Sequence, residues 1–428
     1  MIFPIDIQSP ILGFLDIGTS KIACLMLGRS GTGDGYQVIG FGHQKSRGLK
    51  ASVVVDADAA EDAVRATIAQ AEHMSGAPLA STMLAAACGR LTSTHAAVSL
   101  DLDGPSRAGG AVSAPDIDRL LEAGRTHAER DDRAALNINS LTTYVDGQAV
   151  QGSAVGLRGH RLSLDVHSIA ADRGPLRHLL HLAERCQLRV QALAPAPLAS
   201  ALAVTTATER HLGITIVEFG AGSTGLSLFV GGNLVCAHVF PIGSNHLTFD
   251  LMRALGTTIT EAERIKKNYA IQILAHPAQD DHVVYQPRGD NHAETTPDHA
   301  GAVPTKQVTR AAISSILTSR IDALLRQVLQ RIDQLAIPHH LCGDVVLTGG
   351  GSVLTGLLPL AETIMGRRVR LGAPLAHTGL PQTLLHPAFA TVAGLVLVAQ
   401  DRRLGLRLDT HRPIQSSLAS ELSLRQSF

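Results

Sequence analysis

An apolar strand that ends in a carboxylate, a glycine turn and hydroxyls occurs twice in this chain, and this repetition constrains the fold more than any other feature. The first copy, Phe14-Leu15-Asp16-Ile17-Gly18-Thr19-Ser20-Lys21, resumes as a second apolar strand through Gly28. The second copy, Ile216-Val217-Glu218-Phe219-Gly220-Ala221-Gly222-Ser223-Thr224, repeats the plan with Glu218 standing 202 positions after Asp16. Two such hairpins predict an internally duplicated α/β fold. Glycine lets the backbone turn sharply and approach a ligand closely, which leaves turn N–H groups for phosphate oxygens, and a lysine adds a point charge. A strand-end carboxylate suits water held on Mg²⁺, because that ion keeps much of its hydration shell. Two opposed hairpins of this kind would clamp a polyphosphate.

A third glycine run, Val345-Val346-Leu347-Thr348-Gly349-Gly350-Gly351-Ser352, again follows an apolar strand and precedes a predicted helix over 354–365. Three residues without Cβ atoms let a flat purine and its α-phosphate lie against the backbone at a helix N-terminus. Between these motifs, Ala262-Glu263-Arg264-Ile265-Lys266 reads as helix, where positions i and i+3 share a face. Glu263 is placed to accept from ribose hydroxyls and Lys266 to lie along the base.

The rest of the chain fits an α/β plan. "GYQVIGFG" reads as a strand, and 56–74 as a helix with an apolar stripe at Ala60, Val64, Ile68 and Ala71. Residues 85–166 change character, with alternating segments around one helical stretch, and predict an inserted α+β module. Residues 173–186 read as helix and 213–243 as three strands with glycine turns. The polar stretch 275–305 has the composition of a surface loop. Ile313, Leu317, Ile321, Leu324, Val328, Ile332 and Leu335 mark one stripe of a long amphipathic helix.

Charge and composition remove several function classes. The 37 basic residues balance 37 acidic ones, and with no Trp and four Tyr the chain has neither the net charge nor the stacking surface expected of a nucleic-acid binder. Five scattered cysteines (Cys24, Cys88, Cys186, Cys236, Cys342) without a Cys-x-x-Cys pair read as reduced thiols in apolar runs. No positively charged leader precedes an apolar stretch, and apolar runs such as 388–399 fall short of the ~20 residues of a spanning helix. The expectation is a chain that is neither exported nor membrane-spanning.

With these motifs in this order, the chain resembles the superfamily of actin, the DnaK chaperones and the sugar kinases. Within it the chain is most similar to the FtsA family of bacterial cell division, over nearly its full length. The residues that carry the likeness are "LDIGTSK", "AVGLRGHRL", "PLASALAV", "FPIGSNHLTFDLMRALGTTITEAERIKKNYA", "VVLTGGGSVLTGLLPLAE", "RRVRLGAP" and "FATVAGLVLVA". The resemblance implies an actin-like two-lobed ATPase fold, ribonuclease H-like and duplicated, with an inserted α+β subdomain of FtsA type. The expected division is 1–84, with 167–198 and 385–405, as the first-lobe core; 85–166 as the inserted subdomain; 199–248, with 330–384, as the second-lobe core; 249–329 as its smaller subdomain; and 406–428 as linker and tail.

The same resemblance implies ATP and Mg²⁺ as cofactors. Asp16, Gly18, Thr19, Ser20 and Lys21 would form the first phosphate loop, and Gly220, Gly222, Ser223 and Thr224 the second. Glu263 and Lys266 would hold ribose and base, and Gly349, Gly350, Gly351 and Ser352 the adenosine. Asp16 and Glu218 are the candidate catalytic pair and would reach the metal through water. The family lies on the cytoplasmic face of the inner membrane at the septum, polymerises with itself through the inserted subdomain, tethers the FtsZ ring and recruits later division proteins. An acidic FtsZ tail would dock on the smaller subdomain of the second lobe, where the helix carrying Arg310 and Arg320 is the candidate face.

Two departures from the family pattern matter. Glu218 stands where the family shows aspartate, and Ser223-Thr224-Gly225 where it shows Thr-Thr-Asp. The extra methylene moves the carboxylate by about 1.5 Å, one C–C bond, and a misplacement of this order costs ~100-fold in rate. The expectation is ATP binding with slow or absent hydrolysis. The family's terminal membrane helix is also weakly represented. Leu418, Leu422, Leu424 and Phe428 fall within an arc of about 160° at ~100° per residue, yet Glu421 and Arg425 share that arc. Leu418, Leu422 and Phe428 are the candidate lipid contacts, with Arg402, Arg403, Arg407 and Arg412 upstream to face an anionic leaflet. Other members of the superfamily offer competing functions. A small-molecule kinase would need a cleft aspartate as general base, and no glycine-rich segment outside the nucleotide motifs carries a well-placed one. A pilus-assembly adaptor like PilM carries a similar insertion on a shorter chain, and a DnaK-like chaperone would need a substrate domain after residue 400.

Overall fold

In the computed structural model, which describes residues 11–29, 36–102, 109–269, 271, 281–288, 305–375 and 380–400, the first hairpin pairs Ile11–Ile17 (β1) with Lys21–Arg29 (β2). Tyr36–Lys45 (β3) extends the antiparallel ladder, and a small hairpin of Leu49–Lys50 (β4) and Val53–Val54 (β5) leads into Ala57–Ser75 (α1). Asp56 caps α1 by accepting the Ala59 N–H at 3.1 Å, and Gly76, at φ +68°, ends it. The helix buries Ala60, Val64, Ile68 and Ala71, the stripe expected from their spacing. Ser81–Ala86 (β6) then joins β1 in parallel.

The chain next makes an excursion through Thr92–Asp101 (β7), Gly110–Ala111 (β8), Ala114–Ala128 (α2), Arg133–Val145 (β9), Gln148–Val150 (β10), Arg158–Gly159 (β11) and Arg161–Asp172 (β12). Leu120 of α2 packs with Val112, Leu162, Leu164 and Val166 in a small core of its own. Arg173–Arg185 (α3) and Arg189–Pro195 (β13) complete a five-stranded sheet of order β13-β6-β1-β2-β3.

Ala196–Val204 (α4) and Ala207–Leu212 (α5) lead to the second hairpin, Ile214–Phe219 (β14) and Thr224–Val230 (β15), extended by Asn233–Phe240 (β16). Ser244–Leu255 (α6), Ile259–Asn268 (α7), His282–Tyr285 (β17), Lys306–Thr309 (β18) and Arg310–Asp333 (α8) follow. Asp344–Thr348 (β19), Leu357–Met365 (α9), Val369–Leu371 (β20) and Ala390–Gln400 (α10) close the described chain. The order β16-β15-β14-β19-β20 repeats that of the first sheet, with three antiparallel strands and then two parallel ones. The duplication read from the two hairpin tips is therefore a duplication of whole sheets.

Three details differ from the sequence reading. Most of 275–305 lies outside the described residues, but its His282–Tyr285 stretch is a strand, with Val283 and Tyr285 buried in alternation. Leu335 lies past the end of α8, whose buried stripe runs from Ile313 to Ile332. The excursion is also not a free-standing unit. Its sheet continues into the second one where Thr92 pairs with His238, giving nine strands, and β12 runs unbroken through position 166 to Asp172. All five cysteines are buried and unpaired, and no described helix is long and apolar enough to cross a membrane.

Helices α4 and α10 lie against each other between the two sheets. Every residue of α4 is buried, as are nine of the eleven in α10, so both are apolar all round rather than striped. Their close approach depends on Gly394, where an added Cβ would overlap the Ala199 carbonyl. Gly394→Ala is expected to destabilise the protein by about 3 kcal/mol, the upper end of overpacking costs, while Gly76→Ser, at a helix end with open space, costs less. Chemical denaturation of both variants checks this order.

Candidate functional site

The two hairpin tips are built alike. The Gly18 N–H donates to the Lys21 carbonyl at 3.0 Å, and the Gly220 N–H donates to the Ser223 carbonyl at the same distance. A Cβ on either glycine would stand 2.8 Å from that carbonyl oxygen, closer than side chains tolerate, so each corner requires glycine. The third glycine run rests on the second corner. Gly351 N–H donates to the Phe219 carbonyl at 2.8 Å, Gly349 sits at φ +84°, and a Cβ on Gly351 would meet the Phe219 ring at 2.7 Å.

These corners open on one cavity of about 430 Å³, within the range of small-molecule sites. Asp16, Gly18, Thr19, Ser20 and Lys21 line it from the first half of the chain, and Glu218, Gly220, Gly222, Ser223, Glu263, Lys266, Gly349, Gly350 and Gly351 from the second. Thr224 and Ser352 do not line it. Thr224 starts a strand on the opposite face from Ser223, and its hydroxyl donates to the Ile242 carbonyl at 2.7 Å. Ser352 is buried with its hydroxyl donating to the Gly349 carbonyl at 2.7 Å.

Two carboxylates and one ammonium dominate the electrostatics. Burial pushes the Asp16 carboxyl up, against the pull of Lys21. Glu218 is pushed from 4.5 to about 7, chiefly by burial and in part by Asp16, despite hydroxyl donors on both oxygens. Those donors are the Ser200 hydroxyl of α4, at 2.9 Å from Oε2, and the Thr391 hydroxyl of α10 on Oε1. Burial lowers the Lys21 pKa, with Asp16 and then Glu218 opposing it. Its ammonium donates to the Ala388 carbonyl and lies 4.3 Å from the centre of the Phe389 ring.

At the other end, Glu263 and Lys266 are bound to each other. Lys266 Nζ lies 2.7 Å from Glu263 Oε2 and donates to the Thr248 hydroxyl at 2.8 Å and the Ser244 carbonyl at 3.2 Å. The Thr248 hydroxyl donates to Glu263 Oε2 at 2.6 Å. Burial pushes the Glu263 carboxyl up, but the bonds from Lys266 and Thr248 outweigh it and the net shift is downward. Lys266 is buried and its pKa lowered, mainly by that burial. Its ammonium thus fastens α7 to α6 at the cavity wall rather than reaching freely along it.

The sequence reading missed Ser52, Ser200 and Thr391. None stands beside a glycine motif, and the chain fold brings each to the site from a distance. The arginines named for partner docking already have carboxylates: Arg310 Nη1 lies 2.9 Å from Asp281, and Arg320 pairs in two-pronged fashion with Asp250 at 2.7 and 2.9 Å. Arg320 borders a second, open hollow of about 470 Å³ between α6 and α8, with Asp250, Arg253, Ile316 and Ser319. Arg253 is exposed there and sequence reading did not single it out. Leu418, Leu422 and Phe428 lie outside the described residues. Among the described residues no three His, Cys, Asp or Glu side chains cluster as a metal cage.

The family model for cell division protein FtsA matches residues 215–394, and the model for the SHS2 domain inserted in FtsA matches 89–170. The cell division protein FtsA of Agrobacterium fabrum is 33% identical over 403 residues, which covers 92% of this chain and 88% of that one. Among solved structures, the PilM-PilN type IV pilus biogenesis complex is similar with a TM-score of 0.60 at 17% identity, covering 90% of this chain and 98% of that one. MreB 5 of Spiroplasma citri bound to AMPPNP gives 0.51 at 12% identity, covering 97% and 99%. These two likenesses show the actin-like fold.

The position of Glu218 gives a pH test. Between about pH 4.5 and 7 the folded protein holds a proton that the unfolded chain releases, so this group's contribution to stability falls as pH rises through that window. At about 1.4 kcal/mol per pH unit the loss reaches about 3 kcal/mol. Glu218→Gln keeps one acceptor and adds a donor for the two hydroxyls and has no proton to lose. Its stability relative to wild type is expected to rise from pH 5 to pH 8, read as the difference in Tm across that range; an unchanged difference would remove the assignment.

Proposed function

The chain belongs to the FtsA family of cell division proteins, and we propose that it binds ATP with Mg²⁺ between its two lobes and acts as an actin-like scaffold at the septum, on the cytoplasmic face of the inner membrane. The observation that carries this reading is the meeting of two like glycine corners, one from each half of the duplicated fold, on a single cavity. Backbone amides, the hydroxyls of Thr19, Ser20 and Ser223 and the ammonium of Lys21 supply donors for a triphosphate. The open wall at Gly350, where a Cβ would meet nothing closer than Ala388 at 3.6 Å, leaves a flat surface for the base, with Glu263 beside the ribose.

The donor set suits Mg²⁺ of the phosphate-carried kind. Asp16 and Glu218 offer two carboxylates against one ammonium, their pKa values are raised, and a cation would relieve the burial of both anions. When bound, the ion neutralises phosphate charge. Slow hydrolysis fits the anchoring of Glu218: its carboxylate faces the hydroxyls of Ser200 and Thr391, and Gly225 contributes no polar group across the strand pair.

For partners, an acidic FtsZ tail would enter the hollow between α6 and α8, meeting Arg253 directly and Arg320 in competition with Asp250. Self-association through the inserted segment, recruitment of later division proteins and lipid contact through Leu418, Leu422 and Phe428 complete the reading.

Calorimetry with Mg²⁺ and ATP is expected to give saturable binding that Lys21→Ala weakens by about 10–100-fold, the worth of a hydrogen bond to a charged group. Phosphate release should be slow in wild type and rise by up to ~100-fold in Glu218→Asp as the carboxylate returns by one methylene. No heat at millimolar nucleotide would refute the reading. Arg253→Glu is expected to weaken an FtsZ tail peptide by about tenfold in fluorescence anisotropy, with nucleotide affinity unchanged.

A further inference from the structure

Between β4 and β5 the chain turns through Ala51 and Ser52, at φ +46° and +63°. With Leu49 paired to Val54 and Lys50 to Val53, this is a two-residue hairpin whose central residues both lie in the left-handed region. Such turns favour Asn-Gly or Gly-Gly, since each Cβ at positive φ is strained. Two consecutive side chains held there indicate that the surroundings over-determine the turn, and strain of this kind collects at functional sites.

The surroundings are the two hairpin tips. Ser52 is buried yet lines the cavity. Its N–H donates to the Thr19 hydroxyl at 2.9 Å, and its own hydroxyl lies 3.2 Å from that of Ser223. Thr19 belongs to the first corner and Ser223 to the second, and a Cβ on Gly222 would overlap the Thr19 side chain, so the tips nearly touch here. Ser52 therefore bridges both halves of the fold. Because Thr19 accepts from the Ser52 amide, the Thr19 hydroxyl proton remains for a ligand. The Ser52–Ser223 pair uses one of its two hydroxyl protons and holds the other.

We propose that Ser52 reads the terminal phosphate of a nucleoside triphosphate, its hydroxyl turning from Ser223 to a phosphate oxygen, so that this residue sets the preference for triphosphate over diphosphate. The inference rests on the nucleotide reading and adds a specificity residue to it. With base and ribose toward Gly350 and Glu263, the far end of the phosphate chain is the part that reaches between the two tips. A hydroxyl on a rigid turn is aimed before the ligand arrives, and a hydrogen bond to a charged oxygen exceeds one between two neutral hydroxyls. A diphosphate leaves the Ser52–Ser223 pair as it stands.

The test uses the full chain with Mg²⁺ and either AMPPNP or ADP, each titrated by calorimetry. Wild type is expected to prefer AMPPNP, and Ser52→Ala to lose about tenfold of that preference through weaker AMPPNP binding alone. Ser52→Gly relieves the strain and removes the hydroxyl, so it should melt higher and lose the same preference. Ala51→Gly relieves strain but keeps the hydroxyl, so it should melt higher with the preference intact. Equal affinity for both nucleotides in wild type, or an unchanged ratio in Ser52→Ala, would overturn the role of Ser52 while leaving nucleotide binding standing. Absence of binding to both ligands in wild type would overturn the nucleotide reading itself.

Discussion

A glycine N–H donating to the carbonyl three residues on, in a corner with no room for a Cβ, is the constraint on which the site depends. It occurs at Gly18 and again at Gly220 with the same geometry. The corner fixes the register of the strands it joins, setting Asp16 opposite Ala23 and Glu218 opposite Gly225. In the second copy this opposition is a fitted pair. A Cβ on Gly225 would lie 3.3 Å from Glu218 Oε2 and 3.2 Å from Pro197, so the longer acid occupies space that a side chain at 225 would need. The acid at 218 and the glycine at 225 are thus fitted to each other.

The corners converge because α4 and α10 form a shared floor. Both helices are buried nearly all round, and α10 with the turn that leads into it receives one contact from each half: Lys21 on the Ala388 carbonyl of the turn and Glu218 on the Thr391 hydroxyl of the helix. Glu218 also bonds Ser200 of α4. The charged groups of the cavity thus hold the two halves at a common point, and any ligand that draws on Lys21 or Glu218 acts on the junction between them.

Much of this was legible in sequence because it rests on local signals. Apolar strands broken by glycine gave both hairpins and the third loop, and spacing gave the buried stripes of α1 and α8. What stayed hidden depends on long-range approach. Thr391 meets Glu218 across 173 positions and Ser52 meets Ser223 across 171. Ala51-Ser52 carries no glycine to announce a left-handed turn, so the turn is visible only in its dihedral angles. The Thr224 side chain turns from the cavity for a simpler reason: strand alternation puts it on the opposite face from Ser223. The paired state of Arg310 and Arg320 likewise depends on Asp281 and Asp250, which no local pattern couples to them.

The seam between the inserted segment and the second sheet bears on how the site's acid shows itself. One ladder pair, Thr92 with His238, is a weak join, and side chains reinforce it. Ser93 accepts the Ala237 N–H at 2.6 Å and lies 2.6 Å from His167 Nε2, while His167 Nδ1 lies 3.0 Å from Asn139 Oδ1. Burial drives His167 down to about 3, and burial with Arg331 nearby drives His238 down to about 4. The unfolded chain would protonate both near pH 6.5, so the seam loses stability as pH falls below that value. Glu218 has the opposite slope, losing stability as pH rises through its window. The two tendencies oppose each other between about pH 4.5 and 6.5. Across that range the buried Glu218 carboxyl becomes costlier to keep protonated while the buried imidazoles become cheaper to keep neutral, so the cavity's share emerges only when a single group is changed.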